Sequence, residues 1–510
     1  PEFALDSANA EAVAEITRRL DGLPLAIELA AARVKLLPPQ TMLDRLGGSL
    51  DLLASNRRDL PDRQRTLRGA IAWSYDLLSE SEKRLVRVLS VFRGGATLES
   101  IERVCTTVFD RSGDLLTTLE ALIEHSLVRP GEGAGEPRFS MLETIREFAW
   151  EELVATTECA GVQQAHLDSY VELAERVSPS LTGEDQRRAL VELDAERDNL
   201  RAALAFAVTS SLAVPAHRLA AAMWRYWHMR GLIPEGRRRV DAVLALDPGD
   251  PRLKSKSLEA AGGLAYWANE MQVADVLYQE ALDQAALTGD PELLGFAHYN
   301  LAFPRMMADP SQMNVAAGVE QLDAAEAIFR EVGNTLGLAS IAWGRGMVGI
   351  GREDFASVVE WGLKARELFV AAGDPFMSAW SAHNAELGYI RLGDVEHALP
   401  LAESALEGFA AAGDVSGIIL TLSNLSVIAS LQADPELAVR LWGVVAALQD
   451  RSGTNIVEAA RVFIGFSIDD AIERLGPARA AELAGEGRAL GTPEAIALGR
   501  EAVAAMRARL

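Results

Sequence analysis

The sequence predicts a mainly α-helical protein: a smaller helical domain with a short β-hairpin, followed by an α-solenoid of stacked helix pairs. Three observations carry this. Gly289, Gly333, Gly373, Gly413 and Gly453 fall at intervals of 44, 40, 40 and 40 residues. Self-similarity at a period of ~20–50 residues marks an array whose units bury their apolar faces only against their neighbours. Ala281, Ala325, Ala365, Ala405 and Val445 stand eight residues before those glycines, small side chains where helices must approach closely. Upstream, helical segments lead into Ser126–Arg129 and, after a Gly-rich turn, Arg138–Met141, the pattern of a hairpin.

Bulk composition bounds the function. The chain has 510 residues, 49% hydrophobic and 24% charged, as in ordinary globular proteins and enough for several domains. Its 49 basic against 73 acidic residues give a net charge of −24, a surface that repels phosphate backbones. No apolar run reaches the ~18–20 residues of a membrane helix. Cys105 and Cys159 are its two cysteines, so no disulfide framework is expected, and a reducing cytoplasm fits best. Pro1-Glu2-Phe3 has neither the basic nor the apolar region of a signal peptide. The sequence reads as though it opens in mid-protein.

The best-formed repeat runs Gly393-Asp394-Val395-Glu396-His397-Ala398, then Ala402 and Ala405. It resembles the second half of a tetratricopeptide repeat (TPR), in which a Gly-Asp turn opens the second helix of a pair. Asn269–Ala281, Glu353–Ala365 and Ala433–Val445 fit the same frame. The Gly-Asp or Gly-Asn after each second helix is expected to supply a left-handed C-cap. With a weaker unit from Arg230 to Gly249, about six helix pairs are expected between Ala216 and Gly453. The period exceeds the ~34 residues of the family, which requires longer helices or turns. The four extra residues of the 44-residue interval are expected in a loop near Pro304–Pro310.

Asn300, Asn384 and Asn424 recur eleven residues after three of the glycines, with Gly344 in that place in the fourth. Two readings stay open: an Asn that satisfies hydrogen bonds between helices, or a groove residue. The TPR resemblance implies the second, a position that holds a peptide backbone or C-terminal carboxylate.

Asp21-Gly22-Leu23-Pro24-Leu25-Ala26-Ile27-Glu28 is the sharpest motif near the start. Gly22 ends one helix, and Pro24 sits in the first turn of the next, where its missing N–H costs nothing. The segment resembles the Gly-Leu-Pro-Leu of NB-ARC-type signalling ATPases of the STAND class. The resemblance implies that Gly22, Leu23 and Pro24 contact nucleotide. Arg65–Leu78 follows, then Ser79 with Glu82 as a capping box, Phe92–Leu98, a helix over 115–124 and the hairpin. Three helices and a hairpin resemble the winged helix of bacterial STAND proteins, including LuxR-type transcriptional regulators. Leu142–Ala149 and Asp194-Ala195-Glu196-Arg197-Asp198-Asn199 extend the resemblance over nearly the whole chain.

The expected division is therefore 1–58, the helical tail of an NB-ARC-like module; 59–157, the winged helix; 158–215, a helical linker with the first helix pairs; 216–454, the TPR-like array; and 455–510, a helical cap. The candidate recognition helix, Asp114–His125, carries Asp114, Glu120 and Glu124 and no Lys or Arg. Readers of the major groove need donors and cations, so direct DNA binding is not expected, and the resemblance implies a switch part instead.

No Gly-x-x-x-x-Gly-Lys-Ser/Thr occurs, and Met141-Leu142-Glu143 stands where many family members carry Met-His-Asp. By itself the chain is expected to be no enzyme and to hold no cofactor; ATP or ADP would enter only with an upstream ATPase module. Seven scattered histidines show no metal-like spacing. Trp224, Tyr226, Trp227 and His228 beside Arg225 and Arg230 read either as a helix core or as a cation–π patch. The expectation is a signal-transduction regulator whose array senses a protein, peptide or small-molecule effector. Self-association is compatible with it; a stand-alone TPR-like scaffold is the alternative, and DNA binding through the winged helix the second.

Overall fold

A computed structural model describes residues 9–19, 27, 31, 34, 38–46, 67–108, 115–131, 136–182, 185–307, 314–452, 457 and 467–510. Gly22, Leu23 and Pro24 lie outside the described residues. The chain divides into two units, Pro1–Glu172 with Asp194–Phe206, and Leu173–Leu193 with Ala207–Leu510. Segment 158–215 is thus shared between them.

In the first unit, α1 (Ala10–Arg19) packs on α2 (Pro39–Leu46). Helices α3 (Leu67–Asp76), α4 (Glu80–Leu89), α5 (Leu98–Val108) and α6 (Leu115–Glu124) follow, with β1 (Ala96–Thr97) before α5. Then come β2 (Arg129–Gly131), β3 (Arg138–Ser140) and α7 (Glu143–Val154). The capping box at α4 forms: Glu82 N–H donates to Ser79 Oγ at 3.4 Å, and Ser79 N–H to Glu82 Oε2 at 2.6 Å. Leu85, Val86, Val88 and Leu89 turn inward from this helix.

The hairpin β2–β3 gains a third strand, in the antiparallel order β1-β3-β2. Gly94 and Gly95 cause this. Their φ of +75° and +83° turn the chain so that Ala96 pairs with Phe139, and a Cβ on Gly95 would stand 2.8 Å from the Phe139 carbonyl. Side chains rarely adopt that backbone region.

Helix α8 (Cys159–Val177) leads through a 3₁₀ turn, Ser178–Thr182, to α9 (Gln186–Ala195) and α10 (Arg197–Thr209). Six antiparallel pairs follow: α11 (Ala213–Met229) and α12 (Ile233–Leu244), α13 (Pro251–Trp267) and α14 (Met271–Ala286), α15 (Pro291–Met307) and α16 (Val315–Val332). The last three are α17 (Thr335–Gly351) and α18 (Phe355–Ala371), α19 (Pro375–Leu392) and α20 (Val395–Ala412), α21 (Val415–Leu431) and α22 (Pro435–Ser452). Helices α23 (Asp469–Leu475), α24 (Pro477–Arg488) and α25 (Thr492–Arg507) pack on the final pairs.

The repeat chemistry is local. Gly289, Gly333, Gly373 and Gly413 hold φ between +67° and +69°, ending each second helix in the left-handed region. The next residue caps the following helix: Asn334, Asp374 and Asp414 accept from backbone N–H groups of Gly337, Met377 and Ser416. Ala281, Ala325, Ala365, Ala405 and Val445 are all buried. The long period resides in the helices, which run to 17 or 18 residues with tight turns between them.

One expectation is corrected. Pro304 belongs to α15 rather than to a loop. It lies in the last turn, where it removes only the hydrogen bond that its N–H would give to the Asn300 carbonyl. The extra residues fall between Met307 and Val315, eight positions apart where α17 and α18 are four apart. Among the described residues, no helix is long and apolar enough to cross a membrane.

Candidate ligand cavity in the repeat array

First helices of the pairs present one face to a common hollow, and that face is aromatic. Trp224 and His228 on α11, Tyr266 and Trp267 on α13, Phe303 on α15, Trp343 on α17, and Phe376 and Trp380 on α19 line a cavity of about 620 Å³. This lies within the ~300–1,000 Å³ of small-molecule sites. Rings meet edge to face: Phe303 and Trp343 at 5.2 Å, Tyr266 and Phe303 at 6.2 Å. Such pairs hold better than their buried area alone.

The array curls far enough for its first pairs to touch its fifth. His228 meets Phe376 at 5.8 Å, Trp267 meets Trp380 at 5.0 Å, and Arg230 donates to the Ala412 carbonyl at 3.2 Å. The 3₁₀ turn contributes Ser178, Pro179 and Thr182 to the lining. His228 stacks on Trp267 at 4.1 Å, and burial, with the charge of Arg225, pushes its imidazole down to about 3. It is a neutral ring of the wall near pH 7.

Charge enters at a few points. Arg252 pairs with Asp290 at 2.6 Å. Arg225 lies over the Trp224 ring at 4.9 Å. Glu259 accepts from Asn300 Nδ2 at 3.0 Å; burial raises its carboxyl, against the charge of Arg225 and the bond from Asn300. Arg225 and Lys256 form no ion pair or hydrogen bond with any of the described residues.

Of the three asparagines singled out in the sequence, Asn300 lines the cavity. Asn384 and Asn424 are buried away from it, at 4% and 1% exposure. Asn384 Nδ2 lies 3.8 Å from Met347 Sδ, and Asn424 sits beside the buried Glu386. The three are not brought together. The cluster around Trp224 divides: Tyr226 and Trp227 are core, whereas Trp224, Arg225 and His228 face the hollow. Sequence reasoning missed Trp267, Phe303, Trp343 and Trp380. The available signal was an aromatic residue on the first helix of every pair from the first to the fifth.

Two caps of these helices are titratable out of the ordinary. Burial raises Asp374 to about 6 and Asp414 to about 7, against the backbone N–H groups they cap. A carboxyl whose folded pKa is raised contributes stability below its unfolded pKa and loses it as pH rises through the folded one. The array is expected to lose stability between about pH 4 and pH 7. Urea midpoints at pH 5 and pH 8 check this, and Asp414→Asn should flatten the profile. A wild-type midpoint that climbs over that range contradicts it.

Comparison with known proteins follows the same division. Residues 78–154 match the family model described as a winged helix-turn-helix domain. The chain is 31% identical over 432 residues to a "Putative HTH-type transcriptional regulator" of Mycobacterium tuberculosis H37Rv, covering 83% of this chain and 48% of that protein. It is 35% identical over 162 residues to an uncharacterized protein of the same organism, covering 32% of this chain and 41% of that one. It therefore spans about half the length, or less, of these relatives. Among solved structures, a signal transduction ATPase with numerous domains and a tetratricopeptide repeat sensor from Pyrococcus horikoshii aligns at 16% identity and a TM-score of 0.42. That alignment covers 91% of this chain and 75% of that one. The chain thus carries a winged helix-turn-helix domain and is homologous over most of its length to mycobacterial proteins named as HTH-type transcriptional regulators.

Proposed function

We propose that this chain is the sensor and switch portion of a transcriptional regulator of the STAND and LuxR type. Its array takes an effector into the cavity, and its winged-helix unit passes the event on. The observation that carries the reading is the hollow itself, walled mainly by first helices of five pairs and furnished with Arg225 and Lys256, which form no ion pair among the described residues. The 3₁₀ turn at its rim continues α8, whose residues up to Glu172 belong to the winged-helix unit. Occupancy that orders this turn therefore acts directly on that helix.

In this reading the chain performs no catalysis. Nucleotide chemistry belongs to an ATPase module that the Gly22-Leu23-Pro24 segment would adjoin. The winged helix serves as a switch rather than a DNA reader, because α6 exposes Leu116, Glu120 and Glu124 and offers phosphates no cation.

Hydrogen exchange tests the reading. A ligand found by thermal shift, from a library of organic acids and short peptides, is expected to change exchange in α7 and α8 as well as around the cavity. Protection confined to the array would leave a scaffold without a switch. A gel shift at physiological salt addresses the second reading, DNA binding by the winged helix, which the match to that domain favours. No retardation is expected; sequence-specific retardation would replace the switch role.

A further inference from the structure

The chemistry of the cavity selects a class of ligand, provided that the hollow is the sensor site proposed above. Its walls are aromatic on several sides, which suits a planar apolar body. The contacts of His228 with Phe376 and of Trp267 with Trp380 close one side of the hollow.

Charge then decides the sign. Arg225 is half-buried and covers a face of Trp224, so a ligand cation at that ring would meet a like charge. Lys256 adds a second positive charge at the lining, again without a partner among the described residues. A guanidinium taken partly out of water without an anion costs free energy that a bound carboxylate returns. Four acids stand in the lining, Glu259, Asp290, Glu292 and Asp374. Glu259 and Asp374 feel the charge of Arg225, but among the described residues none of the four forms an ion pair with it: Asp290 is engaged by Arg252, Glu259 by Asn300, and Asp374 by the backbone of α19. Those same carboxylates disfavour a second negative charge on the ligand.

We infer that the cavity binds a small monocarboxylic acid with a planar aromatic body, its carboxylate held by Arg225 and Lys256 and its rings against Trp267, Phe303, Trp343 and Trp380. The body replaces water on apolar walls, and the cations fix its orientation.

The test uses the 510-residue chain and matched probes: 1-naphthoate and indole-3-acetate, the neutral 1-naphthamide, and 1-naphthylmethylammonium. Tryptophan fluorescence and calorimetry read binding, and Ala222→Trp, which fills the lining, reports location. An aryl carboxylate is expected to bind at least about tenfold more tightly than the amide, with the ammonium weakest, as one charge-assisted bond requires. Arg225→Gln should lose that tenfold with an unchanged melting profile. Lys256→Gln, at an exposed residue, provides the same reading should Arg225→Gln fold poorly. Amide or ammonium binding as tight as the carboxylate, at a site that Ala222→Trp blocks, overturns the inference and leaves the sensor reading standing. So does binding of a peptide in place of every aryl carboxylate. Carboxylate binding in the cavity without any change of exchange in α7 and α8 supports the inference while sinking the switch.

Discussion

Replacing Glu196 by alanine is expected to destabilise the winged-helix unit by about 3–5 kcal/mol, the cost of leaving a buried charge without its partner. Glu196 is 4% exposed. One oxygen pairs with Arg138 of β3; the other accepts from Tyr170 Oη and Asn199 Nδ2, each at 2.8 Å. Arg138 and Asn199 both donate to the Gly95 carbonyl at 2.9 Å, and Asn199 Oδ1 accepts from Arg93 N–H at 2.6 Å. The start of α10 thereby clamps the Gly94-Gly95 turn and the strand beside it. Burial, and then the charge of Glu196, holds the Tyr170 hydroxyl well above its ordinary range, so it stays a donor. Urea midpoints monitored by exchange of the β3 amides measure the loss. Adding Arg138→Met should recover part of it, because removing both partners strands no charge. A loss below about 1 kcal/mol, the worth of an exposed pair, would mean that the clamp is not a buried one.

How far this was legible depended on sequence distance. The glycine C-caps and the Ser79–Glu82 box are written within four residues of one another, and each reads directly; the Asp and Asn of the same turns emerge as N-caps in the structure. Asp194–Asn199 stood out only as a resemblance, because its work is done on Arg138 and Gly95, 58 and 104 residues away. The cavity is harder still. Its walls come mainly from the first helices of five pairs, and no periodicity says that α11 will meet α19. The asparagines illustrate the limit: one spacing rule selected Asn300, Asn384 and Asn424, yet Asn300 stands at the lining and the others are buried away from it. Pro304 misled because proline suggests a break, whereas the final turn of a helix tolerates it at little cost.

A second residue should report whether the curl of the array is energetic or merely geometric. Phe329, Phe369 and Phe409 recur every 40 residues on second helices and are almost completely buried. Phe409→Ala is expected to cost about 3–5 kcal/mol, through lost burial and the cavity left behind. Its ring backs Trp380 at 4.9 Å, so the cavity wall loses its support together with the core. In a linear solenoid each repeat feels only its neighbours, and faster exchange would stay within α18–α22. Here Trp380 also touches Trp267, and Ala412, at the end of the same helix as Phe409, accepts from Arg230. Loosening α20 therefore withdraws two contacts from α11 and α13 across the hollow. Exchange is expected to rise in those two helices while α15–α17, between them in sequence, keep more of their protection. Exchange that decays monotonically with distance along the chain from Phe409 would show that the closure contributes nothing. The cavity would then be held open by neighbour packing alone.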